Sequence, residues 1–88
     1  MHQPDPVITR NVKLRVAEFS ARAAQDGLTT PAAIGARIGM HRITVWRLLN
    51  GEVEPGTNFI GAVLDTFDGA KFEDFFKVTR SVTVQEAA

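Results

Sequence analysis

Hydrophobic and small residues recur every three or four positions through one window of the chain, residues 31–50, which reads PAAIGARIGMHRITVWRLLN. Apolar side chains with this spacing line one face of a helix. The inward-facing set consists of Ile34, Ile38, Met40, Val45, Leu48 and Leu49. The pattern predicts two short helices, over about 31–38 and 42–49. Packed through a three- or four-residue turn, they would form a helix-turn-helix.

Local signals at the ends of the two helices agree with this prediction. Thr30 precedes the first helix as a cap, and Pro31 stands at its first position, where a missing N–H costs nothing. Gly39 suits the end of that helix, because glycine reaches a left-handed conformation at little cost. Gly35 has no side chain, so the second helix can cross close to its backbone. The Asn-Gly pair at 50–51 predicts a turn after the second helix.

The rest of the chain predicts three more helices and two loosely held ends. One helix spans about 17–25, another begins at a Thr57 cap and runs to about Phe67, and a short Phe-rich one lies within 72–76. We therefore divide the chain into a flexible N-terminal arm (1–10), a helix-turn-helix domain (11–77) and a C-terminal strand or tail (78–88).

Two segments near the ends of the chain alternate with the period of a strand. Residues 77–84 read KVTRSVTV and predict a strand. Residues 12–16, VKLRV, alternate as well, but their apolar positions also fit a helical face that continues to Ala23, so helix and strand both remain open over 11–16. A lone strand needs a partner for its backbone groups. That partner is either VKLRV of the same chain or a second copy of the C-terminal strand.

Composition limits the class of protein. Eighty-eight residues make one small domain that buries about 60–65% of its unfolded surface. The chain has no Cys, so no disulfide or thiolate metal site supports the fold. No apolar run reaches the roughly 18–20 residues of a membrane span, and the N-terminus is polar and proline-rich, unlike a signal peptide. We expect a cytoplasmic protein without contact with a membrane.

The charges cancel overall but are unevenly distributed. Residues 1–51 carry seven Lys or Arg against three acids, a balance of +4, and residues 52–88 carry three against seven, a balance of −4. No acid occurs from Gly27 to Gly51, which includes the whole predicted helix-turn-helix. A polyanion would meet a basic face on a protein with an acidic back, which would attract and orient it.

The stretch Leu28 to Pro55 resembles the Xre/Cro, or lambda-repressor-like, family of helix-turn-helix transcriptional regulators. The resemblance rests on the Thr before the first helix, the Ile-Gly pair at 34–35, the Ile-Gly-Met turn at 38–40 and the Asn-Gly exit. Downstream, the segments FIGAVLDTF and FEDFFKV resemble a variant found in actinobacteria and their phages. The resemblance implies an all-α, lambda-repressor-like five-helix domain, with a short terminal β-strand or β-ribbon as an open addition.

In that family the helix over 42–49 is the recognition helix and enters the major groove of DNA. The resemblance therefore implies base contacts from its outward residues Arg42, Ile43, Thr44 and Arg47. A guanidinium can bind guanine O6 and N7 together, whereas the alternative for either Arg is a phosphate contact. A thymine methyl would suit Ile43.

Contacts to the DNA backbone are expected from a second group of residues, namely Thr30, Arg37, His41, Trp46 and Asn50. Helix N-termini attract phosphate, and His41 either caps the recognition helix or contacts a phosphate. Trp46 packs either on sugar-phosphate or on the fourth helix. The family commonly has a phosphate-binding Gln at the first position of the first of these helices. This chain has Pro31 there, so Arg37 or Arg22 would have to bind that phosphate instead.

These features predict a sequence-specific DNA-binding transcriptional regulator, a small repressor of phage or mobile-element type. Its partner would be double-stranded operator DNA. The protein is expected to be a homodimer, so the operator would be palindromic. No small-molecule ligand and no cofactor are expected. The alternative is a helix-turn-helix module that docks on RNA polymerase or another regulator. An enzyme is not expected. The chain has no glycine-rich phosphate loop, no Cys and no Tyr, and its two histidines, His2 and His41, suggest neither a catalytic nor a metal site.

Overall fold

The structure, a computed structural model, describes residues 5–85. Five helices lie between two long strands. In chain order the elements are β1 (Asp5–Leu14), α1 (Val16–Gln25), α2 (Pro31–Ile38), α3 (Arg42–Leu49), α4 (Thr57–Thr66), α5 (Phe72–Phe75) and β2 (Phe76–Gln85). Residues 1–4 of the predicted arm and 86–88 of the predicted tail lie outside the described part.

The protein belongs to the mixed α/β class, so the all-α prediction is wrong. β1 and β2 pair as an antiparallel two-stranded ribbon, in which Leu14 faces Phe76 at one end and Asp5 faces Gln85 at the other. The strand reading of residues 12–14 is the correct one, and the strand extends back through residues 5–10, which the sequence pattern assigns to a flexible arm. Both strands of such a ribbon are edge strands, where Pro6 is tolerated.

The ribbon has two chemically different faces, because side chains alternate along a strand and paired residues share a face. The face that we call the apolar ribbon face consists of Pro6, Ile8, Arg10, Val12, Leu14, Phe76, Val78, Arg80, Val82 and Val84. The opposite face carries Asp5, Val7, Thr9, Asn11, Lys13, Lys77, Thr79, Ser81 and Thr83. At its root the apolar ribbon face joins the core, where Phe76 is buried and Val12 and Leu14 pack.

Away from that root, the ribbon projects from the helices. The molecule measures 61 × 26 × 19 Å, and a ten-residue strand accounts for about 33 Å of the long dimension. Lys13 anchors the root, since its Nζ lies 2.8 Å from Glu54 Oε1 in the loop after α3. The backbone N–H of Arg15 also donates to the carbonyl of Phe75, at 2.7 Å.

The predicted helix-turn-helix is present with the predicted bounds. α2 begins after the Thr30 cap and ends at Gly39, whose φ is +74°. α3 spans residues 42–49, as the apolar spacing predicted. α2 and α3 cross at Gly35, where an added Cβ would overlap the carbonyl oxygen of Met40. A glycine at this position therefore permits the tight turn between the two helices.

Phenylalanines build most of the core. Phe19 of α1 lies at its centre, with ring centroids 5.7–5.9 Å from those of Phe59, Phe67 and Phe75 in edge-to-face geometry. Each such pair contributes about 0.5–1.5 kcal/mol beyond its buried area. These contacts hold α1, α4 and α5 together. None of them involves the outer face of α3, so that face is available for contacts outside the chain.

One predicted cap is wrong. Thr57 is the first residue of α4, Gly56 occupies the cap position, and no side chain caps the helix. Thr57 follows Pro55-Gly56, and the extended backbone of Gly56 (φ −94°, ψ 177°) starts the helix one residue earlier than expected. Within residues 5–85, no helix is long and apolar enough to span a membrane.

Candidate nucleic-acid interface

The outer face of α3 presents all four residues predicted to contact bases. Val45 and Leu48 hold the inner face of this helix in the core. Arg42, Ile43, Thr44 and Arg47 are all exposed, and Trp46 is exposed beside them. Since residues three and four apart are neighbours on a helix, Ile43 and Arg47 lie beside each other at the middle of the exposed face. α3 thus offers two guanidinium groups and one large aliphatic group to a partner.

His41 starts α3 by capping it. Its Nδ1 accepts a hydrogen bond from the backbone N–H of Ile43, at 3.1 Å. A ring nitrogen that accepts carries no proton, so in the neutral imidazole the hydrogen is on Nε2. His41 is therefore engaged as a cap and still has one N–H donor for a phosphate oxygen.

Asn50 closes the other end of α3. Its Nδ2 donates to the carbonyl of Trp46 at 2.8 Å, and its backbone N–H bonds to the same carbonyl at 3.0 Å. An amide NH₂ carries two donors. One of them holds the helix end, and the second can reach an external acceptor such as a phosphate.

The start of α2 offers a further pair of donors next to α3. The Thr30 hydroxyl oxygen accepts from the backbone N–H of Ala33, at 3.1 Å, which leaves the hydroxyl hydrogen for an external acceptor. Pro31 has no N–H, so Ala32 carries the unpaired backbone donor of this turn. Free donors at a helix N-terminus favour anions.

An apolar notch separates the start of α2 from the outer face of α3. We call it the α2–α3 notch. It has a volume of about 290 Å³. Its walls are formed by Thr30, Pro31, Ala32, Arg42, Ile43 and Trp46. The Trp46 side chain is 49% exposed and that of Ile43 is 47% exposed, so the chain itself does not cover them.

Arg37 and Arg22 do not join this group. Arg37 lies in the last turn of α2, in a groove beside the start of α4, at the opposite end of α2 from Thr30. Arg22 is engaged within the fold. Its Nη1 lies 3.0 Å from Asp26 Oδ2, and its guanidinium lies 5.4 Å from the centroid of the Phe67 ring. Arg22 is therefore not placed to bind a phosphate near Pro31.

Two features of the surface were not predicted from the sequence. Pro31 was expected only to remove a polar group, whereas its ring completes the apolar wall of the α2–α3 notch. The sequence does contain one signal for this notch. Ile43 and Trp46 are two large apolar residues that lie one turn apart on an outward face. The second feature is the pairing of Arg10 with Arg80 across the ribbon, since the sequence pattern assigns residue 10 to a flexible arm.

The charge distribution also changes once the chain is folded. Lys77 and Arg80 belong to the acidic half of the sequence but join Arg10 and Lys13 in the ribbon, where Asp5 is the one described acid. The described acids of the C-terminal half therefore all lie between the end of α3 and the end of α5. They are Glu52, Glu54, Asp65, Asp68, Glu73 and Asp74. The exposed face of α3 remains without a carboxylate of its own.

Residues 5–85 contain no group of three or more His, Cys, Asp or Glu side chains that could hold a metal ion. The candidate interface consists of guanidinium, hydroxyl, amide and imidazole donors around an apolar notch. Comparison with known proteins adds no further identification, since no family model, no curated protein and no solved structure matches the chain.

Proposed function

We propose that this protein is a sequence-specific DNA-binding regulator of transcription that inserts α3 into the major groove. The observation that carries the proposal is the outer face of α3, which exposes Arg42 and Arg47 in a segment without a single acid from Gly27 to Gly51. The major groove, about 12 Å wide, admits one helix. Its guanine edges present the paired acceptors that a guanidinium fork binds.

Recognition divides between two sets of donors. Arg42 and Arg47 read guanine, with about 1–3 kcal/mol of discrimination for each bidentate pair. The Thr30 hydroxyl, the second Asn50 amide hydrogen and the His41 Nε2–H bind phosphates and fix the position of α3 in the groove. One of these three donors lies at the start of α2, and the other two lie at the two ends of α3. Donors on both sides of α3 can contact the DNA backbones on both sides of the groove.

The regulator acts as a homodimer on a palindromic operator. A single small domain contacts few base pairs, and two helix-turn-helices related by a two-fold axis read half-sites about 34 Å apart. The apolar ribbon face supports this part of the proposal. Val78, Val82 and Val84 are 57–61% exposed on it, and a free two-stranded ribbon is marginally stable at best in water. A second copy would cover these side chains.

The dimer acts as a repressor in the cytoplasm, where it occupies an operator within a promoter and excludes RNA polymerase from it. The alternative, a module that docks on polymerase or on another regulator, would also use an apolar surface. It offers no role for the arginines of α3, because a protein-docking helix does not require two exposed guanidinium groups on an acid-free face.

Selection of binding sites from random duplex DNA tests the proposal directly. The selected site is then measured against random DNA with two arginine variants. Arg42→Ala should weaken binding to the selected site by about 1–3 kcal/mol more than binding to random DNA. Arg37→Ala is the matched control. Arg37 lies at the opposite end of α2 from Thr30, outside the proposed contacts, so this variant should change both affinities only slightly and by similar amounts. Failure to enrich any site, or equal losses on both DNAs for Arg42→Ala, would contradict base reading by α3.

A further inference from the structure

The α2–α3 notch has a specific place in the proposed interface, and the following inference rests on the proposed function. We propose that the notch binds the 5-methyl group of a thymine, together with the adjoining apolar edge of that nucleotide. Ile43 and Trp46 from α3 and Pro31 from α2 form the apolar surface that would receive it. The notch would make thymine a required base next to the guanine read by Arg42.

The exposure of these side chains argues for an external partner. Ile43 and Trp46 leave about half of their surface in water, although they belong to a helix whose opposite side is held in the core by Val45 and Leu48. An apolar hollow within a basic, acid-free surface suits a ligand that is anionic as a whole and apolar at one point. In the major groove that apolar point is the thymine methyl group.

The position of the notch indicates which part of DNA would enter it. One wall is the start of α2, where the Thr30 hydroxyl and the Ala32 N–H can bind a phosphate. The opposite wall includes Arg42, the predicted reader of guanine. Between a phosphate bound at the start of α2 and a base contacted by Arg42 lies the edge of a neighbouring nucleotide. If that nucleotide is a thymine, its C5 and methyl group lie on the major-groove side of this edge.

The size and chemistry of the notch disfavour a free small molecule. Its volume of about 290 Å³ is at the lower limit of ligand pockets, which span about 300–1,000 Å³. Four of its six lining residues are apolar, and only Thr30 and Arg42 have polar side chains that could orient a free ligand. A methyl group held by neighbouring phosphate and guanine contacts needs no such orientation.

Replacement of thymine by deoxyuridine tests the inference, because it removes the methyl group and leaves the base pair intact. Each thymine of the selected site is replaced in turn and the affinity of the full-length protein is measured. We expect one position in each half-site at which the loss of the methyl weakens binding about three- to fivefold. Other thymines should change the affinity by less than about twofold.

Two variants identify the side chain that is responsible. In Ile43→Ala the difference between thymine and deoxyuridine at the sensitive position should disappear. Val53→Ala is the matched control, since Val53 is exposed to a similar degree but lies in the loop after α3; this variant should keep the full difference. Circular dichroism and thermal unfolding of Ile43→Ala should match the unmodified protein, because Ile43 lies outside the core.

The outcomes separate this inference from the proposed function. If the protein binds its selected site but tolerates deoxyuridine at every position, the notch does not read a methyl group and the inference is overturned. It is also overturned if the sensitivity persists in Ile43→Ala. If no DNA sequence is selected at all, the proposed function itself fails, and the α2–α3 notch would then have to serve a protein.

Discussion

Gly35 is the residue on which the geometry of the interface depends most directly. α2 and the turn into α3 approach so closely there that a single methyl group would meet the Met40 carbonyl oxygen. A backbone oxygen cannot move aside without shifting the turn, and the turn sets the angle at which α3 leaves α2. The absence of one side chain therefore controls the orientation of every side chain on α3.

Gly35→Ala should lower the free energy of unfolding by about 1–3 kcal/mol, because the new methyl group forces α2 and α3 apart. Gly61→Ala in α4 is the matched control. An added Cβ meets nothing within 4 Å there, and alanine is the better helix former, so this variant should gain about 0.5–1 kcal/mol. Urea unfolding measures both, and a neutral or stabilising Gly35→Ala would show that the crossing has room to spare.

At the scale of the element, the starts of the helices differ in how firmly they are set. α2 has a Thr cap with a hydrogen bond to its third residue, and α3 has a His cap with a bond to its second residue. α4 begins without any side-chain cap. Of the four helices with eight or more residues, only α2 and α3, which form the candidate interface, have starts fixed by side-chain caps. This agrees with a need for a rigid presentation of α3.

Thr30→Ala should cost about 1 kcal/mol of stability, since it leaves the Ala33 N–H without its acceptor. Thr57→Ala should change the stability by less than about 0.5 kcal/mol, because Thr57 is the first residue of α4 and accepts no capping bond. Thermal or urea unfolding of the two variants gives the comparison. Equal losses would mean that Thr57 caps α4 in solution, as the sequence alone suggested.

The elements that the sequence predicted well are those held by neighbours close in the chain. The bounds of α2 and α3 follow from apolar residues three and four apart, from Thr30 and from Gly39, all within a window of 21 residues (30–50). The ribbon depends on pairing between β1 and β2, which are distant in the chain. The sequence pattern gives VKLRV as one of two possible partners for the C-terminal strand but does not decide between them. Residues 5–10 alternate weakly and contain Pro6, so only their distant partner makes them a strand.

The same distinction applies to the candidate site. The exposed residues of α3 could be predicted because helical spacing assigns each position to a face. The α2–α3 notch could not be predicted, because it depends on how closely the start of α2 approaches Trp46 in space. The contacts of Arg22 could be predicted only in part, since Asp26 lies four residues further along the chain, whereas the Phe67 ring reaches the guanidinium only when α1 and α4 pack.

The whole molecule has an unusual outline, a small helical body with a ribbon that extends well beyond it. The exposed part of the apolar ribbon face would be an unfavourable surface for a monomer, and patches of this kind mark protein contacts. Arg10 and Arg80, directly opposite each other on that face, repel unless an anion lies between them. Carboxylates from the acidic region of a second copy, residues 52–74, would supply that charge.

Val82→Thr should weaken the proposed dimer, because it places a hydroxyl group in the apolar ribbon face. A buried, unpaired hydroxyl costs about 1–3 kcal/mol, and it would occur in both copies. Val7→Thr on the opposite face is the matched control and should leave the dimer unchanged. Both substitutions keep a β-branched side chain, so the strands themselves are preserved.

Sedimentation equilibrium measures the dissociation constant of the dimer, which should rise about tenfold or more for Val82→Thr. Affinity for a palindromic operator should fall in parallel, whereas affinity for a single half-site should not. If both variants dimerise equally well, the apolar ribbon face is not the contact between copies, and another surface of the helical body must provide it.

The pairing of the first strand with the last one also sets an order of events during synthesis. Sixty-one residues, 15–75, separate the two strands, so β1 leaves the ribosome long before β2 exists. α2 and α3 are close neighbours in the chain and can pack while β1 still has an open edge. An open edge with an apolar side is prone to associate with other chains. Chains interrupted before residue 76 would therefore be prone to aggregate, whereas completion of β2 covers that edge.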